Sequence, residues 1–150
     1  CGFGGGFKKW VKCANPEPYN SYGNGSAMRV SPIGWAFDTQ EEVLEEAKKS
    51  AEVTHNHPEG IKGAQAVALA ILWARQGKSK QDIFLGIGAS FEYDISVMVA
   101  DIPRKFDVTC QGTIPICLAA FRETENFEDA IRTVVSLGGD ADTNAAIVGS

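Results

Sequence analysis

The stretch Asn126-Phe127-Glu128-Asp129-Ala130-Ile131-Arg132-Thr133-Val134-Val135-Ser136-Leu137 decides the fold class. Phe127, Ala130, Ile131, Val134 and Leu137 recur at three- and four-residue spacing, which aligns them on one stripe of a helix rather than one face of a strand. Asn126 stands just before the stripe, where a short polar side chain caps a helix start. Upstream, Ile114 to Phe121 is almost continuously apolar, with Pro115 near its beginning. Its alanines and leucine favour a buried helix over a strand.

The same signals recur along the chain. Thr39 followed by Glu42 makes a capping box ahead of Val43, Leu44, Ala47 and Ala51. Pro58 suits the first turn of a helix, since its missing N–H costs nothing there. Ile61, Ala64, Ala68 and Ile71 continue that helix to a stop near Gly77. Ser79 with Asp82 opens another, carrying Ile83, Phe84 and Ile87. Strand character is confined to short stretches such as Ser96 to Ala100. The segments Gly2 to Gly6, Ser21 to Gly25 and Gly138 to Thr143 are expected as loops between helices. The reading is an all-α domain.

Composition narrows the function classes. The 150 residues are 44% hydrophobic and 22% charged, an ordinary globular balance. A formal charge of -5 argues against a nucleic-acid binder, which would carry a basic patch. No apolar run approaches the roughly 20 residues of a membrane-spanning helix. Cys1, Cys13, Cys110 and Cys117 form no CxxC pair and read as reduced cysteines of a cytoplasmic protein. The chain opens at Cys1 rather than at a methionine, and closes inside Asn144 to Ser150, where an apolar helix is starting. Both ends are read as cuts in a longer gene.

Three local patterns carry chemistry. Gly138-Gly139-Asp140-Ala141-Asp142-Thr143-Asn144 puts two carboxylates and a hydroxyl at a helix start, the oxygen ligands that hard divalent cations prefer. The competing reading is an N-cap, which accounts for one aspartate but not both. Ser21-Tyr22-Gly23-Asn24-Gly25-Ser26-Ala27-Met28-Arg29 offers backbone amides for close approach of a phosphate, with Ser21 and Asn24 adding side-chain hydrogen bonds. A tight Asn-Gly turn is the alternative. Met28 stands where a dinucleotide fingerprint needs its third glycine, so a Rossmann reading fails. Thr54-His55-Asn56-His57-Pro58 holds both histidines, as a zinc pair, a ligand contact or a helix entry. Arg29 would pair with a phosphate or form a structural salt bridge. Cys110 lacks a histidine partner and reads as packing.

Taken in order, these motifs resemble the ADP-ribosylglycohydrolase family of the dinitrogenase reductase-activating glycohydrolase kind. Thr54-His55-Asn56-His57-Pro58-Glu59, the run from Ser21 to Gly34 and the run from Gly138 to Asn144 carry the likeness, with Cys110 to Pro115 and Phe121 to Ile131 between them. The resemblance implies an orthogonal helical bundle with two magnesium ions in a cleft, here one domain over 1–150 that is truncated at both ends. It implies Asp140, Asp142 and Thr143 as metal ligands, and Ser21, Tyr22, Gly23, Asn24 and Gly25 as the loop holding the phosphates and distal ribose of ADP-ribose. His55 would contact substrate in the same cleft, while Met28 and Arg29 shape the loop. The implied activity is magnesium-dependent removal of ADP-ribose from modified protein side chains or small conjugates, by a monomeric cytoplasmic protein without nucleic-acid or membrane partners.

The chain departs from the family in one respect. The early catalytic glutamate and the Thr-Asp-Asp-Thr stretch are absent, and no Asp-Asp pair occurs in the 150 residues. The chain by itself is therefore expected to be inactive. A non-catalytic ADP-ribose or nucleotide-binding module is the main alternative, and a structural relative without chemistry the weaker one.

Overall fold

The computed structural model describes residues 3–150; Cys1 and Gly2, with the start of the expected Gly2 to Gly6 loop, lie outside the described residues. Among the described residues the chain is all-α, with no strand beyond one isolated bridge between Gly23 and Thr109. The helices are α1 (Gly5–Trp10), α2 (Gly25–Met28), α3 (Ser31–Ala36), α4 (Gln40–Glu52) and α5 (Pro58–Arg75). They continue as α6 (Lys80–Phe91), α7 (Cys110–Glu123), α8 (Phe127–Leu137) and α9 (Ala141–Val148).

Helix starts follow the local capping chemistry. Thr39 Oγ1 accepts from the Glu42 amide at 3.2 Å, Ser79 Oγ from Asp82 at 3.1 Å and Asn126 Oδ1 from Asp129 at 3.0 Å. Pro58 is the first residue of α5, and Gly77 takes a positive φ just beyond its end.

Several segments differ from the sequence reading: Gly25 starts α2, and Ala141, Asp142 and Thr143 belong to α9 rather than to the loop before it. Gly5 and Gly6 belong to α1, because Phe7, Lys8, Lys9 and Trp10 supply helix-compatible residues and two lysines for the last turn. Phe7 stacks on Trp10 with centroids 5.7 Å apart. Ser96 to Ala100 finds no partner strand. Arg122 instead binds the carbonyls of Ile95 and Val97, and a 3-10 turn follows at Val99–Asp101. Helix α7 begins at Cys110, ahead of the apolar run, because Thr109 accepts from the Gly112 amide and caps it there.

Helix α5 organises the rest. It is apolar on nearly all sides, as a central helix must be, and it packs against α2, α3, α4, α6 and α7. Its approach to α7 depends on Gly63, where a Cβ would lie 2.5 Å from Cys110 Sγ and 2.8 Å from Cys110 Cβ. Gly63→Ala gains about 1 kcal/mol of helix propensity, but overpacking a closed core costs more. A net loss of about 1–2 kcal/mol is expected in urea unfolding. Cys110→Ala in the same background should recover part of it, since Sγ is the nearer obstacle. Equal stability of Gly63→Ala and the parent chain would refute the close contact.

Candidate functional site

Three segments far apart in sequence meet at the start of α9. The loop before α2 is pinned to the strand-like entry of α7: the Asn24 amide donates to the Val108 carbonyl at 2.7 Å, and the Cys110 amide to the Tyr22 carbonyl at 2.9 Å. The Asn24 side chain is buried and spends both Nδ2 protons, one on Thr113 Oγ1 at 2.9 Å and one on Asp140 Oδ2 at 2.7 Å. The loop and the acidic helix start are thereby held side by side.

Gly138 and Gly139 both have positive φ, at +71° and +67°, and a Cβ on Gly139 would stand 2.7 Å from the Lys105 carbonyl. Only glycine turns the chain from α8 into α9 at that spacing. Asp140 occupies the N-cap position of α9 without making a capping bond. Its carboxylate faces Asn24 instead, so the capping alternative does not describe it. Asp142 Oδ1 accepts from the Thr143 amide at 3.0 Å. Thr143 is buried, and among the described residues its hydroxyl bonds to the thioether of Met28 alone, at 3.5 Å.

These donors suit a hard cation. Asp140 Oδ1, Asp142 Oδ2 and the Thr143 hydroxyl oxygen keep free lone pairs, and no lysine or arginine pairs with either aspartate among the described residues. No group of three His, Cys, Asp or Glu gathers among the described residues, so these oxygens would supply only part of a cation's shell. Magnesium commonly completes such a shell with water.

The loop itself offers fewer amides than its sequence suggests. The Ser21 amide reaches the Thr54 carbonyl at 3.4 Å, and the Gly23 amide donates to Ser21 Oγ at 3.2 Å. With Asn24 also committed, Tyr22 and Gly25 retain amides without a partner among the described residues. The Ser21 hydroxyl proton remains available.

The two histidines separate. His57 Nδ1 accepts from the Glu59 amide at 3.1 Å and caps α5, while its ring meets Tyr22 edge-on with centroids 5.2 Å apart. His55 is 8% exposed and bonded through Nδ1 to Thr54 Oγ1 at 2.7 Å. Its Nε2 lies beside the loop, 3.5 Å and 3.4 Å from where a Cβ would stand on Gly23 and Gly25. Burial, then the charge of Arg29, lowers its pKa to about 4, so the imidazole is neutral at neutral pH. Arg29 forms no salt bridge among the described residues; its guanidinium donates to the Ser50 carbonyl at 2.8 Å and to Thr54 Oγ1 at 3.1 Å.

Cys110 is buried against Gly63, bonded to the Gly23 carbonyl, and its thiol is pushed up by burial. A protonated, enclosed thiol is packing rather than a nucleophile. Cys13, Cys110 and Cys117 are free. Sequence reasoning passed over Thr113, whose hydroxyl in an otherwise apolar helix face was the available signal. An apolar groove of about 300 Å³ lies elsewhere, lined by Trp35, Ile71, Ile83, Ile114, Phe121 and Ile147 among others; no candidate site residue reaches it. Among the described residues no helix is long and apolar enough to cross a membrane.

The comparisons with known proteins give the family and the fold. The chain is 45% identical to the ADP-ribosylhydrolase ARH3 of Homo sapiens over 65 residues, which is 43% of this chain and 18% of that protein. It is 27% identical over 143 residues to an uncharacterized protein of Archaeoglobus fulgidus, covering 84% of this chain and 47% of that one. A solved ADP-ribosylglycohydrolase-related protein complex superposes with a TM-score of 0.79 at 25% identity, over 96% of this chain and 54% of that chain. The chain thus spans about half of that structure's length and less than half of these two curated relatives. The family model for ADP-ribosylglycohydrolase matches residues 3–150, and the chain belongs to that family.

Proposed function

We propose that this chain is the ADP-ribose- and metal-binding half of a magnesium-dependent hydrolase that cleaves the glycosidic bond between ADP-ribose and a protein side chain or small molecule. The observation that carries the reading is the Asn24–Asp140 hydrogen bond, which joins the anion-binding loop to the acidic helix start across 116 positions of sequence.

Each residue has a role that its contacts support. The amides of Tyr22 and Gly25 and the Ser21 hydroxyl donate to the pyrophosphate. Holding that remote end fixes the anomeric carbon over the acidic residues, so binding energy far from the reaction is spent on orientation. His55 adds a neutral ring beside the loop, a donor or acceptor without charge. Asp140, Asp142 and Thr143 would hold the cation. When bound, magnesium orients ribose hydroxyls and polarises the attacking water. Asn24 keeps the distance between the phosphate end and the metal end constant.

The family's glutamate and Asp-Asp pair are not among these residues, so the chain alone is expected to bind rather than cleave. Calorimetric titration of ADP-ribose, with and without magnesium, tests the reading. Magnesium-dependent heat should appear and should be lost in Asp140→Ala and in Asp142→Ala. Binding that neither variant changes would remove the metal assignment, and hydrolysis by the purified chain at a full-length relative's rate would remove the division into halves.

A further inference from the structure

We infer that Arg29 and Thr54 are positioning residues that fix His55 in the tautomer carrying its proton on Nε2, directed at the Gly23–Gly25 loop. The use of that proton toward a bound ADP-ribose rests on the function proposed above; the tautomer does not.

The assignment follows from counting protons along three groups. Arg29 Nη2 can only donate, and it donates to Thr54 Oγ1 at 3.1 Å while also holding the Ser50 carbonyl at 2.8 Å. Thr54 is 2% exposed, and its hydroxyl has one other neighbour among the described residues, His55 Nδ1 at 2.7 Å. An oxygen that accepts from arginine still has its own proton to place. Placed on Nδ1, it satisfies both groups. The reverse arrangement, with Nδ1 donating, would leave the buried hydroxyl proton without an acceptor, which is unfavourable. Nδ1 is therefore the acceptor, and a neutral imidazole with Nδ1 free of hydrogen carries it on Nε2.

Nε2 has no hydrogen-bond partner among the described residues, and the residue as a whole is 8% exposed. Nε2 lies beside the two glycines of the loop, 3.5 Å and 3.4 Å from where a Cβ on Gly23 or Gly25 would stand, an ordinary contact distance. The geometry thus presents an N–H donor, without a charge, to whatever anionic or hydroxyl-bearing group the loop receives. Arg29 performs this through Thr54, with its guanidinium also held by the Ser50 carbonyl.

Nitrogen-15 NMR of the two histidine rings decides the matter without any ligand. His57 serves as an internal reference, because its Nδ1 accepts from the Glu59 amide and owes nothing to Arg29. His57→Gln assigns the signals. At neutral pH the parent chain should show His55 with a pyridine-like Nδ1 and a pyrrole-like Nε2. Thr54→Val should lower the Nε2-H to Nδ1-H ratio roughly five-fold, the effect of losing one neutral hydrogen bond. Arg29→Met should lower it in the same direction, and Thr54→Ser should restore it. An unchanged His57 signal shows that each variant is folded. A His55 ring protonated on Nδ1 in the parent, or an unmoved ratio in folded Thr54→Val, would overturn the proposal. Loss of ADP-ribose binding in every protein, with the tautomer pattern as expected, would count against the proposed function and leave the relay standing.

Discussion

Asn24→Ala is expected to destabilise the chain by about 3 kcal/mol, and to abolish magnesium-dependent ADP-ribose binding together with it. The side chain is 6% exposed and makes one hydrogen bond to a neutral hydroxyl and one to a carboxylate. A neutral bond contributes about 1 kcal/mol net and a bond to a charged group about 2, and no water-filled surface lies at hand to replace the first. Asn24→Asp sharpens the test. It preserves shape and puts an oxygen where Nδ2 now faces Asp140, so two carboxylates would stand 2.7 Å apart in the absence of metal. That variant should be at least as unstable as Asn24→Ala at neutral pH. Urea unfolding measures both. An Asn24→Asp protein as stable as the parent would show that the amide does not donate to Asp140, and the link between loop and acidic helix would be gone.

What was legible in the sequence was whatever lies within four residues of itself. The caps at Thr39, Ser79 and Asn126 are i to i+3 contacts, and each helix begins where those residues put it. The apolar runs likewise identify α4, α5, α7 and α8, because the period of burial is written into consecutive residues. The loop at Ser21 to Gly25 and the aspartates of α9 stand out in the sequence by residue type and family likeness. Their relation was not legible: nothing near Asn24 announces that its partner is Asp140, or that Thr113 completes the set. Arg29 shows the same limit. A lone arginine in a glycine-rich motif suggests a phosphate, yet the fold turns it toward Ser50 and Thr54. Two amides of the loop, those of Ser21 and Asn24, find their partners Thr54 and Val108 in other segments, which local sequence does not show. Ser96 to Ala100 was β-like in residue type, and only the absence of a neighbouring strand decided against it.

Acidification should destabilise the chain between about pH 6.5 and pH 4, and the cause should be traceable to one residue. An exposed histidine protonates near 6.5, whereas burial and Arg29 hold His55 to about 4 in the folded chain. Above this window both states are neutral at that position, and stability does not depend on it. Within the window the unfolded chain takes up a proton that the folded chain refuses, so protonation pulls the equilibrium toward unfolding as pH falls. The loss amounts to about 2 kcal/mol by pH 5 and about 3 kcal/mol by pH 4, after which both states are protonated and the slope ends. Asp107, held below the usual carboxylate range by its bonds to Thr109, titrates beneath this window, and its own contribution disappears only at lower pH. His55→Gln cannot take up the proton in either state. The difference between the parent and that variant, from urea unfolding at pH 7, 6, 5 and 4.5, therefore isolates the histidine. A gap that changes with pH in the expected direction ties acid lability to the neutral, buried ring beside the loop. Parallel curves would mean that His55 protonates as easily folded as unfolded, and that the ring beside Gly23 and Gly25 is charged below pH 6.5 rather than neutral.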